Sequence, residues 1–198
     1  MFEFLKNLFV KKKEKTLLKD PLQEVRLLGE TKDAYSLVSL LKSKKAKFLG
    51  GGLYDDSVYY KEYAKGVYSF FVLRKERNTG TESILFDGHA INEKEDLGLS
   101  LESSYSVGED LQKLGYSFGF ERKVEEWRFS YNLVFLKISD IVGVGVFLEA
   151  AISSSKDEEA YMFNEKRAVS VMNELVKEFD YIDALTLELM SLNSKLKN

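Results

Sequence analysis

Short runs rich in β-branched and aromatic residues alternate with polar positions over much of this chain, the two-residue period of half-buried strands. Strands are predicted over residues 22–28, 57–63, 67–76, 82–87, 97–103, 116–129, 132–140 and 144–152. The turns between them carry their own signals: Asn78-Thr79-Gly80-Thr81 is a tight turn, and Ser130-Tyr131-Asn132 joins the two long strands as a hairpin. Gly50-Gly51-Gly52 reads as a turn and Asp55-Asp56 as a turn pair. The period changes to that of a helix from Thr31 to about Lys45, where Tyr35, Val38 and Leu41 share a face. Ser106-x-x-Glu109 and Ser155-x-x-Glu158 have the capping-box pattern, predicting a short helix that ends near Gly115 and a longer one from 157 to 179. A last helix is expected over 181–195. Many strands with few helices, rather than strict strand–helix alternation, predict an α+β fold.

The N-terminal segment differs from the rest. Phe2, Leu5 and Phe9 stand at helical spacing, and Lys6, Lys11, Lys12, Lys13 and Lys15 surround them. Residues 1–20 are therefore expected to be an amphipathic basic helix with its connector, and residues 21–198 a single domain. Residues 1–15 have the character of a helix that lies on anionic lipid or in a partner's groove; packing on the domain is the plainer alternative. The charges follow the apolar stretch and no small-residue cleavage site appears, so this is not read as a secretory signal.

Composition narrows the classes. The chain has 198 residues, 44% hydrophobic and 31% charged, enough for one substantial core. It has no cysteine, which removes thiolate metal sites, disulfides and thiol catalysis and fits a cytoplasmic location, with peripheral membrane contact through the N-terminal segment as the added possibility. A net charge of −3 gives no reason to expect duplex nucleic acid as a partner. The triple glycine lacks the Gly-Lys-Ser/Thr of a phosphate-binding loop, and Gly143-x-Gly145 precedes a strand rather than a helix, so neither is a nucleotide fingerprint. His89 is the sole histidine; in a loop it reads as solvated rather than as a general base.

A further signal lies in the order of particular segments. Leu22-Gln23-Glu24-Val25-Arg26 is followed by a helix, a lysine-rich passage into Phe48-Leu49-Gly50, Phe71-Val72-Leu73-Arg74, Leu85-Phe86-Asp87-Gly88, Arg122 to Trp127, and Ile138-Ser139 through Ala151. In this order they resemble the CYTH domain, the family of class IV adenylyl cyclases and triphosphatases. The family's opening Glu-x-Glu-x-Lys strand, its Leu-Arg-Leu-Arg strand and its Leu-Asp-x-x-x-Gly-Leu-Gly-x-Phe-x-Glu-x-Glu ending fall on the first, third and last of those segments. The resemblance implies a closed antiparallel β-barrel, a tunnel with flanking helices, that binds a nucleotide triphosphate or polyphosphate.

Matched to the family, the inward set is Glu24, Arg26, Val72, Arg74, Asp87, Glu102, Arg122, Val124, Lys137, Ser139, Glu149 and Ala151. The resemblance implies that Arg26, Arg74, Arg122 and Lys137 hold phosphates and that Glu24, Glu102 and Glu149 hold Mg²⁺ or Mn²⁺. Triphosphate chemistry needs both: cations against a dense negative charge, and oxygen ligands for a metal that neutralises it. Several family charges are replaced here, by Val72 and Val124 among the cations, by Ser139 and Ala151 among the carboxylates, and by inversion at Asp87. A degenerate tunnel that binds without efficient turnover is therefore expected, the catalytic residues being unknown. An active metal-dependent triphosphatase or adenylyl cyclase is one alternative. A membrane-associated scaffold is another, and mutual pairing of the inward charges is the plain structural reading.

Overall fold

The computed structural model describes residues 23–65, 67–86, 89–91, 104–154, 157–176, 180–182 and 191. Strands β1 (Gln23–Thr31), β2 (Lys47–Ala64), β3 (Val67–Glu76), β4 (Glu82–Phe86), β5 (His89–Ile91), β6 (Ser117–Tyr131), β7 (Val134–Ile141), β8 (Gly145–Ser154) and β9 (Asp180–Ile182) form one sheet. Helices α1 (Ala34–Ser43), α2 (Ser104–Lys113) and α3 (Glu158–Leu175) pack against it. The class is α+β.

The strand order is β5-β4-β3-β2-β6-β7-β8-β1-β9, with antiparallel pairing throughout. This order has two ends, β5 and β9, and among the described residues no ladder joins them, so the expected closed barrel is corrected to an open sheet. Both end strands are only three residues long. Strands that short offer few free backbone groups for closing the ladder, as short edge strands do generally.

Helices cover one face. In α1 the buried residues Ala34, Leu37, Val38 and Leu41 recur at the spacing of a single helical stripe, as do Ala168, Val171, Met172 and Leu175 in α3. Both stripes join Val25, Phe129, Leu136, Ile138, Leu148 and Ala150 from the sheet in the main core. A smaller core sets Val107 and Leu111 of α2 against Phe71, Leu73 and Ile84. Each such side chain, once fully buried, contributes roughly 1.5–3 kcal/mol.

Several local expectations shift. The cap of α1 is Asp33, whose carboxylate accepts from the Ser36 amide at 3.0 Å, because β1 continues through Thr31. Asp157 caps α3 in the same way, accepting from the Ala160 amide. Helix α2 starts at Ser104, so Ser106 lies inside its first turn rather than at its cap. Tyr181 and Ile182 belong to β9 instead of opening a helix, and His89 begins β5. The triple glycine and Asp55-Asp56 form no turn; β2 runs through them. The expected N-terminal helix, the strand over 97–103 and the helix beyond residue 182, save Ser191, lie outside the described residues.

Candidate functional site: a charged network on the open face

Alternation along each strand sends the other set of side chains to the face opposite the main core. Register rows define it. Arg74, Asp56 and Arg122 stand side by side on β3, β2 and β6. Glu126 pairs with Ser139 and Phe147 on the next strands, and Arg128 with Lys137 and Glu149. Arg26 sits beside Ala151, one row further along. The rows thus bring Arg26, Val72, Arg74, Arg122, Val124, Lys137, Ser139, Glu149 and Ala151 to one face. Glu102 and Asp87 lie outside the described residues, as does the side chain of Glu24.

The charges form two connected groups. Arg74 grips Asp56 with two parallel bonds, Nε to Oδ1 at 2.8 Å and Nη2 to Oδ2 at 2.9 Å, the geometry that suits a planar guanidinium. Arg122 Nε donates to the same carboxylate at 3.1 Å, and its Nη1 donates to the Ser191 hydroxyl at 3.0 Å. Arg74 Nη1 also reaches Glu126 at 2.9 Å, and Arg128 Nε donates to the other Glu126 oxygen at 2.6 Å. Tyr54 supports both arginines: its hydroxyl accepts from Arg128 at 2.8 Å and its ring lies 4.7 Å from the Arg74 guanidinium carbon. In the second group Glu149 holds Lys137 at 2.5 Å and Arg26 at 3.2 Å.

Burial grades this network. Asp56, Glu126 and Arg122 are almost wholly enclosed, whereas the side chains of Arg26 and Lys137 are each 26% exposed and that of Arg128 is 40% exposed. Burial alone would raise the Asp56 carboxyl; Arg74 and Arg122 more than reverse this and hold it below its ordinary value. Burial acts on Glu126 in the same sense, and Lys137, Arg74 and Arg128 overcome it, so that carboxyl is also lowered. For Arg74 the cost of burial is outweighed by Asp56 and Glu126, which keep it firmly charged. Arg74 and Arg122 are therefore committed to internal carboxylates. Arg26, Lys137 and Arg128 are the cations of the network that a solute can reach.

Beyond the Arg74–Asp56–Arg122 row the face turns apolar. Val58, Phe70, Val72 and Phe120 form a buried cluster there. Two positions that the family resemblance would make basic, 72 and 124, thus carry valines that pack in the apolar clusters. Glu30 and Glu76 share the charged face at its margins, the latter accepting from the Thr79 hydroxyl.

The expected metal set is not assembled by the described residues. Both Glu149 oxygens are engaged, one by Arg26 and one by Lys137, and no group of three acidic, histidine or cysteine side chains gathers among the described residues. A divalent ion needs several oxygen donors of its own. The described donors do not fit one.

Asp56, Glu126 and Arg128 are members of the network that the sequence reading did not select. Alternation from Arg122 would have found Glu126 and Arg128, since they follow it at even spacing on one strand. Asp56 was hidden by the glycines before it, which suggested a turn. A cleft lined by Asp55, Lys75, Glu121 and Lys123 also takes in Asp56, Arg74 and Arg122 of the network. Its charges are of mixed sign, and Arg77 neutralises Asp55.

No family model matches the chain, and no curated protein matches it. Solved structures do. A candidate adenylate cyclase from Vibrio parahaemolyticus superposes with a TM-score of 0.62 at 17% identity, over 83% of this chain and 96% of that one. The PH1012 protein of Pyrococcus horikoshii OT3 gives 0.57 at 18% identity, over 80% and 94%. A conserved hypothetical protein of Pyrococcus furiosus gives 0.55 at 17%, over 80% and 95%. These likenesses concern the fold alone, and they agree with the fold that the order of the strand motifs led us to expect, save that the sheet here is open.

Proposed function

We propose that the charged face binds a nucleotide triphosphate or inorganic polyphosphate, with Arg26, Lys137 and Arg128 as the phosphate-contacting cations and with turnover weak or lost. The observation that carries this is the cluster of three reachable cations on β1, β7 and β6, converging on Glu149 and Glu126. Among the described residues, the network sets these cations, with Arg74 and Arg122, around Asp56, Glu126 and Glu149, and Glu30 and Glu76 stand at its margins. Arg74 and Arg122, first read as phosphate ligands, serve in this reading to hold the strands and to keep Glu126 oriented toward Arg128.

The same geometry supports weak turnover. Phosphoryl or nucleotidyl transfer from a triphosphate depends on charge neutralisation at the reacting oxygens and on a positioned nucleophile. Arg26 and Lys137 can supply part of the first. Glu149 is occupied by those cations, which leaves it engaged rather than available as a base. The alternative of an active triphosphatase or adenylyl cyclase draws on the fold shared with the Vibrio protein.

Calorimetric titration with ATP and with inorganic triphosphate, each with and without Mn²⁺ and with product assayed in the same samples, tests the reading. Binding without product is expected. The Glu149→Gln variant separates the roles by sign. Glu149 competes with ligand for Arg26 and Lys137, so its neutralisation should tighten triphosphate binding several-fold, on the order of 1 kcal/mol. Were Glu149 a metal ligand, the same change would weaken metal-dependent binding instead. Undetectable binding of either compound overturns the proposal.

A further inference from the structure

Phe135 stands exposed beside the reachable cations of the charged face. It is 36% exposed, whereas Val134 and Leu136, its neighbours on β7, are fully buried in the main core on the other side of the sheet. It belongs to none of the buried clusters, and its ring meets no other ring among the described residues. One exposed apolar side chain needs no explanation by itself. The setting of Phe135 is what distinguishes it.

In the register, Phe135 lies between Ser130 on β6 and Ala151 on β8, with Lys47 beyond the first and Arg26 beyond the second. Both immediate neighbours are small, so the ring is the tallest side chain between two cations. Lys137 follows on the same face of β7, ~7 Å along the strand. Arg128 pairs with Lys137 and is the diagonal neighbour of Phe135. Opposite Arg128 on β2 is Gly50, at φ 130°, where a side chain would meet open space. Of the described acidic groups toward this end of the sheet, Glu149 is held by Arg26 and Lys137, and Glu174 by Lys44. Asp157, Glu158 and Glu159 begin α3, which packs on the opposite face, and Asp157 is committed to its cap.

We propose that Phe135 is the stacking platform for the base of a nucleoside triphosphate whose phosphates engage Lys137, Arg128 and Arg26. This rests on the polyphosphate-binding reading above and narrows it to a polyphosphate that carries an aromatic heterocycle. Every base presents a flat π-face, and an aromatic side chain meets it without hydrogen bonds. Such a platform needs an exposed ring with low surroundings, which Ser130 and Ala151 provide. It also needs cations one short step away, a spacing that the ribose bridges, and Lys137 and Arg128 stand there. An inorganic polyphosphate has nothing to place on the ring.

Calorimetric titration of the full chain and of two variants, with ATP and with inorganic triphosphate, tests this. Phe135→Leu keeps an apolar side chain at a partly exposed position and removes the π-face, so the fold is retained. It should bind ATP about tenfold more weakly, toward the low end of what one base–aromatic stack supplies, with its affinity for inorganic triphosphate unchanged. Phe135→Trp should keep the ATP affinity and place an indole on the charged face. Its emission, after subtraction of the parent's Trp127 signal, should be quenched by ATP and not by inorganic triphosphate. Equal losses of both ligands in Phe135→Leu, unchanged ATP binding there, or an indole that does not respond to bound ATP overturns the proposal. A parent that binds inorganic triphosphate but not ATP overturns it too, while the polyphosphate reading stands. A parent that binds neither overturns both.

Discussion

Asp56 is the residue on which the charged face turns. Its side chain is wholly enclosed, yet it stays ionised because two guanidiniums surround it. Replacing it with alanine would leave Arg74 and Arg122 buried with fewer acceptors, at a cost of about 3–5 kcal/mol, the range for breaking a buried ion pair from one side. The effect should depend on pH. Carboxyls lowered in the folded state contribute stability that is complete above their ordinary values, 3.8 for Asp56 and 4.5 for Glu126, and that disappears as pH falls through the lower folded values. Denaturant unfolding of the parent and of Asp56→Asn should therefore differ most near neutral pH and converge in acid. A gap that stayed constant down to pH about 2 would mean that the ionised carboxylate is not what stabilises the fold. The sequence concealed this residue for a physical reason. Glycines and paired aspartates favour turns locally, but β2 is hydrogen-bonded on both sides, by β3 and by β6, and that tertiary pairing outweighs local preference.

At the scale of elements, β2 shows what the glycines are for. A Cβ on Gly51 would lie 2.3 Å from the backbone carbonyl oxygen of Glu126 on β6, well inside any tolerable contact. The strand can approach β6 this closely only without a side chain there. Gly51→Ala should accordingly force β2 away from β6 and displace Glu126 from Arg74 and Arg128. We expect a loss of roughly 2–3 kcal/mol, within the range for overpacking, measured by chemical unfolding. Triphosphate binding should weaken in parallel, whereas a variant with unchanged stability would show that the two strands have room to separate. Helix α1 was legible because its stripe is regular and its start lies within a few residues of a polar cap. The bounds shifted because capping is decided by where the preceding strand ends, and β1 extends through Thr31. The two-residue period survived best. The match to the family put Arg26, Arg74, Arg122, Lys137 and Glu149 on one face; alternation within each strand, together with the register between strands, keeps them there. Whether those charges would bind a ligand or one another was not legible, since it depends on which strands become neighbours.

At the scale of the whole molecule, closure of the sheet was the expectation least accessible from sequence. It requires its two end strands to meet, and they are short segments whose pairing no local pattern specifies. An open sheet still concentrates cations, and it does so against an overall charge of −3. The long-range field therefore does not draw in a polyanion, and in the proposed reading the affinity comes from contacts at Arg26, Lys137 and Arg128. Their attraction is screened by salt because all three are partly exposed. These features make a definite thermal prediction. Inorganic triphosphate should raise the Tm, with about 2.7 kcal/mol of stabilisation when its concentration is 100 times Kd, and added salt should shrink the shift. A Lys137→Ala variant should lose most of the ligand-induced shift, while its ligand-free Tm moves little, because a partly exposed ion pair contributes only about 0–1 kcal/mol and Glu149 retains Arg26. Differential scanning calorimetry of parent and variant across a triphosphate titration reads both quantities at once. If the variant shows the full shift, the ligand lies elsewhere on the molecule. If its ligand-free Tm collapses instead, Lys137 is a structural counter-ion whose pairing with Glu149 holds β7 to β8, and the charged face serves the fold before it serves a ligand.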